Sequence, residues 1–418
     1  MQRQWLTLKV LAGTMMLAGD FAQAGLSGRL ETHIKRDNRQ FQNTGAIEER
    51  LDVHYDDPAS GLRSGLTLAL AQWEGRRDES LYQLYLEKTL NDKGTQLSLG
   101  RMQRSDALGF YTLDGVQFSY VTDAATLTLY GGVPGRIEDF RSIDGDALYG
   151  FDLQAAFRQL QRYALDGRIG WQRLQQDRSV DRVNVGWRGV HQQQATQLFP
   201  SAFSLTGTYL FEDETWETIQ LDVYRDFETK VRLRVDYETY EPGTDELTFK
   251  DRFYSLYARG RQSQFKVGYQ FQQGRRRTWS VSGRRVVREF GGNGYGTVAT
   301  MDYRSDRGCR WLVQLDRLEL AQERANGAYF EIDKPLSSMV RASLGGVFQQ
   351  QHKWLTGDNR TLGVEAQLER RVKVDMLPAA LWFSAEASYI QNSRLTDEYR
   401  IAVRMIYSFD DRTREAMQ

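Results

Sequence analysis

The chain has one cysteine, Cys309, six prolines and four histidines in 418 residues. A single cysteine excludes an intrachain disulfide, so an exported fold of this length must rest on burial and ladder hydrogen bonds. Histidine is scarce, and no G-x-S-x-G, H-E-x-x-H or P-loop is present. Nothing therefore supports an enzyme. The lack of C-x-x-C-H excludes covalent c-type haem on this chain, and no other cofactor motif occurs. No stretch beyond residue 24 holds 18 consecutive apolar residues, which excludes a helical membrane protein. The mean hydropathy of −0.58 is that of a soluble protein. It does not exclude a membrane barrel, because half of each barrel strand faces water. Lys+Arg and Asp+Glu are equal at 55 each, which argues against binding nucleic acid by bulk charge.

The N-terminus reads as a targeting segment. Arg3 and Lys9 precede an apolar run over Val10–Gly19, and Ala22-Gln23-Ala24 fits a cleavage site. The pattern predicts a secretory signal peptide over 1–24, too short to span a bilayer as a helix. Removing it takes away two basic residues and one acid, Asp20, and leaves a net charge of −1.

From Gly25 onward the dominant signal is alternation. In Tyr399–Phe409, Tyr399, Ile401, Val403, Met405, Tyr407 and Phe409 share one face; Arg400, Ala402, Arg404, Ile406 and Ser408 share the other. Side chains alternate along a strand, so this is a ribbon with one apolar face. Its length suits a tilted crossing of a bilayer, with aromatics at both ends of the apolar row. Strands in lipid must close into a barrel, since no water is there to satisfy a free edge.

Similar runs recur along the chain, twenty-two to twenty-three of them, one of which is Tyr254–Ala258. No segment of ten residues holds a helical stripe better than it holds alternation. An even strand number is required, so the expectation is an all-β, transmembrane antiparallel barrel of 22 strands, with 18 to 24 open. The barrel should occupy 25–409, without a plug domain, and end in a polar tail over 410–418. Long connections are expected at 37–45, 102–112, 131–146, 240–248 and 350–360, with 131–146 the best candidate for an inward loop. A propeller or solenoid would show a motif repeating at 20–50 residues, and none is found.

Two stretches carry a resemblance. Leu97-Ser98-Leu99-Gly100-Arg101, followed by Leu113-Asp114-Gly115-Val116, is similar to the "LGR … LDG" hairpin of porin-like barrels. The last strand resembles the C-terminal signal read by the barrel-assembly machinery, although Asp410–Gln418 follows Phe409. The chain thus resembles the large porin superfamily of Gram-negative outer-membrane barrels. That resemblance implies an outer-membrane location, contact with lipid and lipopolysaccharide, and a channel function.

If the apolar face meets lipid, the other face lines the lumen. The candidates are Arg29, Glu31, Arg50, Asp52, Asp166, Arg168, Lys230, Arg232, Arg234, Asp236, Arg400 and Arg404. Mixed signs suit a wet pore whose field orients polar solutes. Equally, the charges pair across strands and hold the wall together. Lys230, Arg232 and Arg234 form the densest basic row, and Arg275–Arg277, Arg284, Arg285 and Arg288 extend the basic bias. His33 and His54 fall on neighbouring strands, but a metal site needs further ligands.

The function expected is a porin-like channel for small hydrophilic or ionic solutes. One alternative is a sheath around a multihaem cytochrome in an electron conduit. Another is an export channel for an anionic polysaccharide, for which the basic row is the support.

Overall fold

A computed structural model describes residues 25–38, 44–73, 76–106, 109–135, 147–157, 163–175, 179–191, 200–227, 231–240, 261–289, 292–321, 323–353, 357–373, 379–393 and 397–410. The expected features at 1–24, Lys230, 241–248, Tyr254–Ala258 and 411–418 lie outside them. The elements in the first half are β1 (Leu26–Asp37), β2 (Thr44–Asp57), β3 (Leu62–Trp73), β4 (Arg76–Thr89), β5 (Gln96–Asp106), β6 (Gly109–Val121), β7 (Ala125–Gly135), β8 (Ala147–Phe157), β9 (Tyr163–Gln175), β10 (Ser179–His191) and β11 (Ala202–Leu210). The second half adds β12 (Thr215–Phe227), β13 (Val231–Tyr240), β14 (Gln262–Gln273), β15 (Arg277–Arg288), β16 (Gly294–Arg304), β17 (Arg310–Leu320), β18 (Glu323–Pro335), β19 (Val340–Lys353), β20 (Gly357–Lys373), β21 (Ala379–Asn392) and β22 (Glu398–Asp410).

Each strand pairs antiparallel with its sequence neighbours, and β22 pairs with β1. The result is a closed 22-stranded barrel. Closure runs over eleven residue pairs, from Ser27 opposite Asp410 to Asp37 opposite Arg400. Gly28 lies opposite Phe409, and a side chain on Gly28 would collide with that ring. Leu30, Tyr407 and Phe409 pack together across the closure, with Leu26, Leu51, Val53 and Leu381 against them.

The register assigns the two faces. Residues directly opposite one another on paired strands point to the same side of the sheet. One face exposes Leu84, Leu99, Val116, Leu129, Ile169, Val281, Leu315, Val364 and Val403. The other carries charges. The guanidinium of Arg104 on β5 reaches Asp152 on β8, 3.0 Å away, past two intervening strands. Such a reach is possible only across the concave side, so the charged face is the interior. An apolar convex surface on a closed sheet is what a lipid-exposed barrel requires. Near the end where β1 begins, Phe271, Trp279, Tyr303 and Trp311 form part of an outward aromatic girdle. Near the other end, Arg285, Tyr295, Glu319 and Arg324 form one outward row across β15–β18.

Two expected long connections are strand instead. β5 and β6 meet as a hairpin with Asp106 opposite Gly109, and β19 and β20 meet with Lys353 opposite Gly357. Both hairpins extend their ladders through stretches rich in polar residues, which read as loop in the sequence because no outward apolar row runs through 102–106 or 349–353. Residues 131–135 belong to β7, and the rest of 131–146 lies outside the described residues.

The barrel turns a corner at β5–β7. Gly100 lies opposite Gly115, and Gly115 opposite Gly132, all on the interior face. A Cβ on Gly115 would sit 2.1 Å from the carbonyl oxygen of Gly131, and one on Gly132 would sit 2.3 Å from that of Asp114. Gly100 has φ +112°, a conformation that costs side-chain-bearing residues. Beside it Arg101 and Asp114 are cross-strand partners joined by two hydrogen bonds, the Nε–Oδ1 contact being 2.6 Å. The glycine, arginine and aspartate of the "LGR … LDG" stretch are therefore the parts of one strand crossing.

Candidate functional site: the charged inner wall

Around the closure, β1, β2 and β22 each present charges inward. Glu31 accepts from Arg29 at 2.7 Å and from Arg404 at 2.5 Å. Arg50 donates to Asp52 at 3.2 Å, and Arg400 stands 3.7 Å from Glu386. His33 lies 3.4 Å from Glu48, whose other oxygen accepts from Lys35. His54 is opposite Ser27, near the far end of the same hairpin, so the two histidines do not meet. No group of metal-ligating side chains occurs among the described residues.

On β9, Arg168 donates to Asp152 at 3.0 Å, and Asp166 stands opposite Arg188. Asp152 also takes Arg104, whose guanidinium lies 3.5 Å from the centre of the Tyr130 ring and 2.5 Å from Gln117. Arg104 was not among the residues singled out from sequence. It falls within 102–112, which reads as a connection in the sequence, and its reach past two strands to β8 was not legible either.

The basic row is largely neutralised. Arg232 binds Asp226 at 2.6 Å; Arg234 binds Asp236 at 2.7 Å and also Asp222. Asp222 and Asp226 alternate with Leu221 and Val223 on β12, a signal available in the sequence. What the sequence withheld was the register that brings them beside β13. Net positive charge lies one strand further on. Asp222, Asp236, Lys266 and Arg284 are successive cross-strand partners on β12–β15. Lys266 and Arg284 have no carboxylate within ion-pair distance among the described residues. Asp222, Arg234, Asp236 and Lys266 line a bay of about 360 Å³. A second bay of about 380 Å³ is lined by Glu331, Glu365, Gln367, Glu386, Ser388 and Arg400. The inner wall thus holds one bay of mixed charge and one that is mainly anionic, each furnished with amides and hydroxyls.

No family model matches this chain, and no curated protein does. Several solved barrels are similar in architecture. Acinetobacter baumannii OccAB4 is 9% identical, with 92% of this chain and 97% of that one covered, at a TM-score of 0.47. Pseudomonas aeruginosa OpdK, solved with vanillate, is 11% identical over 92% of this chain and 98% of its own, also at 0.47. The translocation pore of the P pilus usher PapC is 10% identical over 92% and 98%, at 0.39.

Proposed function

We propose that this chain is an outer-membrane channel through which small hydrophilic or ionic solutes pass passively. The observation that carries the reading is the closed wall of 22 strands with an apolar convex face and a charged, hydrogen-bonded concave face. Barrels of 16–18 strands already leave an aqueous channel, and in this chain every described strand belongs to the wall. Charges of both signs held in fixed pairs orient polar solutes and exclude apolar ones.

The test is swelling of liposomes carrying the folded barrel in sugars of increasing size. Swelling that falls off with solute size supports a water-filled channel; no swelling from a folded barrel rejects it. A sheath around a multihaem cytochrome is the second reading. In its favour, a 22-stranded wall has the girth that holds a protein plug in larger outer-membrane transporters. The polysaccharide-export reading loses its support, because Arg232 and Arg234 are engaged by aspartates.

A further inference from the structure

The wall is not uniformly sealed. The ladder between β4 and β5 holds six residue pairs, from Leu84 opposite Arg101 to Thr89 opposite Gln96. The ladders on either side hold twelve and eleven. Above Leu84, β4 continues to Arg76 and β5 to Asp106, yet they do not pair with each other. Two irregularities at the same height produce the split. On β4, Tyr82 is an extra residue between Gln83, opposite Thr67, and Leu81, opposite Leu68. Such a bulge bends its strand and ends pairing. On β5, Gly100 takes φ +112° immediately before Arg101, the last residue paired with β4.

The split begins at membrane depth. On β3 Leu68 and Leu70 continue the outward apolar row above that level, and on β7 Val133, opposite Asp114, reaches it. One described hydrogen bond crosses it, from Arg101 Nη1 to the carbonyl of Leu81 at 3.0 Å. Arg101 is held for this by its paired contact with Asp114. Behind the split, the inner wall changes character. Met102, Tyr111, Leu113, Tyr130, Leu148 and Leu174 form a buried apolar cluster where the rest of the wall is charged.

We propose that the β4–β5 seam is a lateral port, latched by Arg101, through which a single-chain amphiphile exchanges between the membrane and the barrel interior. Opening the seam lets the tail insert against the apolar cluster of β5–β9, which is buried while the seam is closed, and the polar head keeps to the charged lumen. This route is separate from solute passage along the barrel axis, although it rests on the same membrane-spanning reading.

The test uses Leu81→Cys with Gln103→Cys on a Cys309→Ser background. These two positions flank the seam on its outward side. A bifunctional methanethiosulfonate stitches them, and a reductant releases them, so one folded sample serves as its own control. In liposomes loaded with albumin, transfer of a fluorescent lysophospholipid from the outer leaflet to the enclosed albumin is followed. Stitching is expected to slow transfer severalfold and reduction to restore it, with axial conductance unchanged. Arg101→Met, which removes the latch, is expected to speed transfer. Equal rates before and after stitching, or transfer no faster than in protein-free liposomes, would overturn the port while leaving the axial channel standing.

Discussion

At the scale of single residues, charge pairing decides what the lumen presents to a solute. Arg234 is shared by two aspartates, so its field is largely cancelled within the wall. Lys266 and Arg284 face each other from adjacent strands with no ion pair among the described residues, and set the local sign. Replacing both by glutamine should move the reversal potential in a KCl gradient toward cation preference; an unchanged potential would show that they do not lie on the ion path. A second prediction concerns Gly115. A Gly115→Val side chain would press on the backbone of β7. Overpacking of this kind costs about 1–3 kcal/mol, and here backbone rather than a rotatable side chain must yield. The folded, heat-modifiable band on a semi-native gel should be lost or should melt at a lower temperature. A wild-type melting profile would contradict the tight corner. The face of each charge was readable from parity alone. Its partner was not, because alternation fixes the side of a strand and not its register. For that reason Arg232 and Arg234 read as an exposed basic row until β12 was set beside them.

At the scale of strands and hairpins, the apolar row made the elements legible. Each described strand contains one of the alternating runs, because a strand in lipid must keep one face apolar along its length. Legibility ends where the apolar row is interrupted. Residues 102–106 and 349–353 are strand, but Met102 is the one apolar residue among them, so composition alone assigns them to loops. The β4–β5 split was also hidden, since it comes from an extra residue, Tyr82, and a backbone angle at Gly100. The "LGR … LDG" stretch was visible as a motif, yet its physical content, an ion pair beside a glycine crossing, needed the fold. β22 supplies a prediction at this scale. Deleting residues 398–410 removes eleven pairs with β1 and its ladder with β21, leaving two open edges facing lipid. Such a chain should fail to insert and be digested by added protease, whereas protection equal to the full chain would show that closure does not depend on β22.

At the scale of the whole molecule, the account joins three facts: closure of 22 strands, an apolar outside and a charged inside. Together they describe a wide tube whose outside suits a membrane, and in the proposed channel the chemistry of the inner wall sets what passes. The strand number, the membrane-facing pattern and the mixed-charge lumen follow from alternation, but the identity of the solute is not encoded in any short motif. The central claim is that the tube conducts water and ions along its axis. The most direct measurement is conductance of the purified, folded barrel in a planar bilayer, with the reversal potential read in a KCl gradient. Stable open steps are predicted, with a reversal potential that shifts when Lys266 and Arg284 are neutralised. A folded barrel that inserts and carries no current would contradict the channel, and would leave the tube as a wall around something else.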